Sequence, residues 1–164
     1  MKSQSDDVTH HGSCHCQAVK FSFETPLKGV KVSICNCSIC RKKGERNVIP
    51  GPHCVTGFEH LVVPKSKFTL ETPWDAIKTY AFGTGVAKHY FCGTCGISPF
   101  YVPRSNPNGY SVSLTSVARL LIIVLQVNFR CVDDRESFED VKWDLFDGQN
   151  WEEAFRKSDI TERA

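Results

Sequence analysis

Seven cysteines gathered in three tight clusters constrain this chain more than any other feature. The clusters are Cys14-His15-Cys16, Cys35-Asn36-Cys37-Ser38-Ile39-Cys40 and Cys92-Gly93-Thr94-Cys95, with Cys54 and Cys131 standing apart. A disulfide framework has no reason to bunch its cysteines two residues apart, whereas a metal ion needs several thiolates within a few ångströms of one point. In an extended segment C-x-C puts both thiols on one face, because strand side chains have period two. The C-x-x-C followed by Gly96 reads as a zinc knuckle, in which the glycine lets the backbone turn so that N–H groups approach the sulfurs. The clusters therefore predict metal ligation. An iron–sulfur centre is a further reading of C-x-C-x-x-C, and colour separates it from colourless zinc protein.

The rest of the composition sets bounds. With 164 residues, 41% hydrophobic and 23% charged, the chain has the size and balance of one globular domain. Its longest apolar run, Leu120 to Leu125, is far short of the roughly 20 residues a spanning helix needs. The first ten residues, MKSQSDDVTH, hold charges and no apolar core of a signal peptide. The expectation is a soluble, intracellular protein without membrane partners, cytoplasmic or nuclear. Seven thiolates holding two zinc ions would move the formal charge of +2 to about −1, so the basic pI does not point to nucleic acid.

Short β-rich runs punctuated by turns predict a mainly β fold. The runs are Gln17 to Phe23, Lys31 to Ile34, Leu61 to Val63, Ile77 to Phe82, Ala87 to Phe91, Ile97 to Tyr101 and Tyr110 to Leu114. Two helices are expected. One is a single turn after Cys37. The other starts at Asn150 as N-cap and runs through Lys157, with Trp151, Ala154 and Phe155 inward and charges that suit the helix dipole. Phe91, Phe100, Tyr101 and Trp143 read as core-facing strand positions. The domain is expected over 10–157, with a flexible N-terminus over 1–9 and a tail over 158–164.

The order C-H-C, C-N-C-S-I-C, H-Y-F-C-G-T-C-G-I-S-P-F-Y-V-P-R-S-N-P-N-G-Y and F-D-G-Q-N-W-E resembles the family of glutathione-dependent formaldehyde-activating enzymes and centromere protein V. The resemblance spans roughly residues 10 to 155. It implies a β-tent fold of antiparallel sheets around zinc sites, with one short C-terminal helix. It also implies a division that spacing alone leaves open: Cys14, Cys16, Cys92 and Cys95 as a closed structural zinc site, and Cys35, Cys37 and Cys40 as a second, three-thiolate zinc. Four thiolates saturate zinc, whereas three leave a position for a substrate sulfur. The implied reaction is addition of a thiol such as glutathione to formaldehyde or a related small aldehyde, a carbon–sulfur lyase step written in reverse. Glutathione is anionic, so Arg41, Lys42, Lys43 and Arg104 are candidate contacts to its carboxylates. The alternative is a non-catalytic zinc-stabilised binding module, associated with chromatin or the cytoskeleton as centromere protein V is. The vacancy on the second site separates the two.

Other residues read more plainly. His15 lies between two ligands and points to the opposite face, so it belongs to the surface. His89 is expected to be packed or solvated, and His10, His11, His53 and His60 have no partner at a useful spacing. Cys131 reads as a small buried hydrophobe, and Cys54 as a free thiol in a Pro/Gly-rich loop. Two segments, 45–59 and 113–126, depart from the family pattern as insertions or gene-model artefacts. The second, S-L-T-S-V-A-R-L-L-I-I-V-L-Q, reads as translated intron. Its apolar end is what a pyrimidine-rich tract closing in CAG would encode, and its removal joins G-Y-S-V to V-N-F-R-C.

Overall fold

The computed structural model describes residues 6–43, 46–48, 54–105 and 124–158. The chain runs through β1 (Asp7–Ser13), β2 (Lys20–Pro26), β3 (Lys31–Cys35), helix α1 (Ser38–Lys43), β4 (Arg46–Val48), β5 (Cys54–Thr56), β6 (Phe58–Pro64) and β7 (Phe68–Leu70). It continues through β8 (Ile77–Tyr80), β9 (Lys88–Cys92), β10 (Phe100–Val102), β11 (Val124–Asn128), β12 (Lys142–Phe146) and helix α2 (Trp151–Lys157). A three-stranded sheet, β1-β2-β7, packs with a seven-stranded sheet of order β12-β3-β6-β11-β10-β9-β8, and β4 and β5 pair separately. All pairings are antiparallel except β12 with β3. The fold is mainly β with one short C-terminal helix, as expected.

Strand periodicity gives the large sheet two different faces. Val32 of β3, Leu61 and Val63 of β6, Tyr90 and Cys92 of β9, Phe100 of β10, and Leu125 and Val127 of β11 pack with Val19, Phe21 and Phe23 under the small sheet. The residues between them point the other way. Cys35, Phe58, Tyr101 and Phe146 form a second cluster there with Cys40 of α1, covered by Trp151, Ala154 and Phe155 of α2. The inner face expected for α2 is thus the observed one.

Several expectations shift. Strand β1 starts at Asp7, inside the stretch read as a flexible N-terminus, and carries no apolar alternation. Its inward positions are His10 and Gly12. His10 is fully buried, 2.6 Å from Asp134 through Nδ1 and 3.1 Å from the Thr25 carbonyl through Nε2, stacked between Phe23 and Phe138. At Gly12 a Cβ would lie 2.3 Å from the Phe21 ring. Trp143 lies on the core side of the sheet, opposite Val32 and edge-on to the Phe129 ring at 6.1 Å, but on the edge strand β12 it stays 42% exposed. Asn150 stands at the N-cap of α2 but accepts no N–H. Its side chain donates to Asp147, which accepts the Gln149 N–H one turn earlier. The 45–59 segment holds β4, β5 and the buried start of β6, Phe58 and Glu59. The run Tyr110 to Leu114 and most of 113–126 lie outside the described residues. The end of that segment does not: Leu125 is in the main core and Gln126 is 2% exposed, both within β11.

Candidate functional site

Two cysteine groups sit on opposite faces of the large sheet. The sulfurs of Cys14, Cys16, Cys92 and Cys95 lie within 4.8 Å of one another, and so do those of Cys35, Cys37 and Cys40. The Cys14–Cys16 and Cys16–Cys92 sulfurs are 3.6 Å apart. Tetrahedral zinc with bonds of about 2.3 Å brings its sulfurs to roughly 3.8 Å, so these residues fit such an ion.

The four-cysteine group is built by two turns. Between Cys92 and Cys95 the chain reverses through Gly96 at φ +74°, closed by the Gly96 N–H to the Cys92 carbonyl at 3.0 Å. The N–H groups of Thr94 and Cys95 approach the Cys92 sulfur at 3.4 Å, and that of Val19 approaches Cys14 at 3.4 Å. Burial pushes the Cys14 thiol up to about 12. At Cys95 burial is outweighed by the backbone N–H groups of Cys16 and Ile97, which bring it down to about 6. His15 is exposed, as expected.

The three-cysteine group joins the end of β3 to the turn of α1. Cys37 precedes the helix and Cys40 lies on its buried side, three residues on and hence on the same face. Cys37 is drawn down to about 2, because Cys35 and then Cys40 donate to its sulfur. Cys40 is pushed well up by the same sulfurs and by burial. Three thiols so crowded hold negative charge on one sulfur; a bound cation lets all three ionise. Gly148 closes the group from the C-terminal side. A Cβ there would lie 2.6 Å from the Cys35 sulfur and 2.7 Å from the Cys37 Cβ. It is held by Asp147, which accepts from Asn36 at 3.1 Å.

The three cysteines open onto a cavity of about 490 Å³, whose lining includes His60, Phe82, His89, Tyr101, Gln126 and Trp151. Cross-strand register sets His89 opposite Tyr101 and Tyr101 opposite Gln126, so three residues distant in sequence form one row across β9, β10 and β11. The Tyr101 hydroxyl donates to Gln126 Oε1. Burial holds its phenol well above the ordinary range.

The four candidate contact residues separate. Arg41 and Arg104 line the cavity. Arg104 stacks 4.0 Å over Trp151 and pairs with Glu152. Lys42 is exposed and outside the lining. Lys43 turns inward and is not among the residues lining the cavity. Its ammonium lies over Phe58, Phe91 and Tyr101 and donates to Ser98 Oγ at 2.9 Å and His89 Nδ1 at 3.1 Å. Desolvation lowers it to about 8.

Sequence reasoning missed His60, Tyr101 and Gln126 as lining residues, although Tyr101 is buried as expected, in the second cluster. One signal was available for His89: three residues before Cys92 in a strand, it faces away from the four-cysteine group, onto the other side of the sheet. Cys131 is buried, with Asn128 donating to its sulfur at 3.2 Å. Cys54 falls in β5. None of the described helices is long and apolar enough to cross a membrane.

The sequence pattern described as glutathione-dependent formaldehyde-activating enzyme matches residues 9–131. Among solved structures, the chain is similar to a Rhodobacter sphaeroides protein, at 25% identity and a TM-score of 0.53, over 81% of this chain and 98% of that one.

Proposed function

The chain belongs to the glutathione-dependent formaldehyde-activating enzyme family, and from that premise we propose that it is a carbon–sulfur lyase-like protein with two zinc ions. Cys14, Cys16, Cys92 and Cys95 would hold a structural ion; Cys35, Cys37 and Cys40 would hold one open to substrate. The observation that carries this reading is the difference in surroundings: the three-cysteine group opens onto a large cavity, and none of the other four cysteines lines it. A zinc ion on three thiolates would accept a substrate sulfur and favour its thiolate, the nucleophile needed for addition to a small aldehyde.

The chain's own residues do the rest. Arg41 and Arg104 offer guanidinium groups at the cavity to the carboxylates of a thiol such as glutathione. Trp151 orients Arg104 by stacking, and Glu152 pairs with its guanidinium. Phe82, Phe146 and Trp151 make much of the wall apolar.

Cobalt substitution followed by glutathione titration tests this reading. A change in the visible spectrum that Cys37→Ser abolishes is the expected result. An unchanged spectrum at millimolar thiol, with the site metallated, favours a zinc-stabilised binding module without turnover.

A further inference from the structure

We infer that His89 is a catalytic residue of this site: a neutral imidazole fixed with its proton on Nε2, which donates a hydrogen bond to the aldehyde oxygen as the carbon–sulfur bond forms. The inference rests on the function proposed above, and the following observations lead to it.

His89 is 3% exposed, yet it lines the same cavity as the three cysteines. Its Nδ1 lies 3.1 Å from the Lys43 ammonium. An ammonium has three donors and no acceptor, so Nδ1 must accept, and a neutral ring then carries its proton on Nε2. Lys43 is itself oriented. Ser98 Oγ gives its hydrogen to the Tyr90 carbonyl at 3.0 Å, which leaves an oxygen lone pair for Lys43 at 2.9 Å. The imidazole plane is clamped between Phe82 and Tyr101, with centroids 5.7 and 5.0 Å away and both interplanar angles 20°. Among the described residues no protein group takes the Nε2 hydrogen. Burial first, and the Lys43 charge second, lower His89 to about 4, which keeps the ring uncharged near neutral pH.

The step balances without any further reagent. The substrate thiol, its proton given up to solvent, forms a bond from sulfur to the aldehyde carbon, and the carbonyl π pair moves to oxygen. The alkoxide accepts the Nε2 hydrogen bond and takes its proton from water. His89 keeps its own proton, because imidazolate is too strong a base to release. In the reverse direction the same bond stabilises the alkoxide from which carbon–sulfur cleavage proceeds. A single preorganised donor of this kind changes kcat by roughly 100-fold or more.

The test combines ¹⁵N NMR of the zinc-loaded protein with turnover. His89 should show the neutral Nε2–H form at pH 7 and lose that preference in Lys43→Met. Glutathione with formaldehyde should shift the Nε2–H signal, and glutathione alone should not. His89→Phe should lower kcat about 100-fold while leaving the cobalt spectral response to thiol unchanged, and His89→Gln, which keeps an N–H donor, should recover part of the rate. A proton on Nδ1 in the wild type, or full turnover in His89→Phe, overturns the inference while the lyase reading stands. A wild type that binds thiol but never forms the adduct overturns the lyase reading and the catalytic role together, whatever the tautomer.

Discussion

Gly148 shows how closely one residue can control a centre it does not ligate. A methyl group there must displace the Cys35 sulfur and the Cys37 Cβ, both parts of the three-cysteine group. Gly148→Ala should therefore leave a folded protein whose metal content falls from two ions to about one, as read by metal analysis beside circular dichroism; two ions retained would mean that the closing turn gives way. The cysteines themselves should divide in the same manner. Cys92→Ser opens the group under the main core, where metal binding is folding energy, so the chain should unfold broadly. Cys37→Ser should remain folded with about one zinc. Equal unfolding by both would refute the division into structural and open sites. His89 adds a pH dependence. Its folded value near 4 lies below the ordinary 6.5, so the unfolded chain binds more protons between those limits. Stability contributed by the neutral ring is therefore present above pH 6.5 and lost as pH falls toward 4. His89→Phe should flatten that part of the stability curve in acid titration, relative to wild type.

At the scale of elements, the C-terminal helix is a cover for the site. Helix α2 is only seven residues long and would be marginal in isolation; what holds it is the packing of Trp151, Ala154 and Phe155 on the three-cysteine cluster. Trp151 also stacks on Phe155 with centroids 4.6 Å apart. Trp151→Ala should lower stability by about 2 kcal/mol, less than a fully buried tryptophan because this one is only half-buried. It should also weaken glutathione binding, because Arg104 loses the ring it rests on. Urea denaturation and the cobalt titration measure the two effects, and tight thiol binding in a destabilised variant would remove Arg104 from the substrate contacts.

For the whole molecule, the seven-stranded sheet is a partition: one face carries the core and the four-cysteine group, the other the cavity and the three-cysteine group. The segment 113–126 bears on this directly, because its last two residues serve both faces, Leu125 the core and Gln126 the cavity. A chain lacking 113–126 would place Val112 directly before Val127, in the position of Gln126, and the buried Tyr101 hydroxyl would lose its acceptor. All seven clustered cysteines lie outside the segment, so this shortened chain should still bind two zinc ions. Metal analysis of both forms checks that, and sequencing of the mature transcript decides which form is made.

The sequence by itself determined the class of fold and pointed to the cysteine clusters that could hold a metal. Thiolate spacing points to metal ligation because the ligands are few, soft and local; alternating apolar residues announce β2, because period two is a property of a single strand, and short β-rich runs bounded by turns announce β3, β6 and β9. It did not reveal β1, whose inward positions are a histidine and a glycine, or the exposure of Trp143 on an edge strand, since both depend on what lies across the chain. Only the tertiary structure decided that Lys43 turns inward to a histidine 46 residues away, and that His89, Tyr101 and Gln126 stand in one row. Those relations are set by strand register and sheet order. They arise from the packing of many residues at once, and no local spacing carries them.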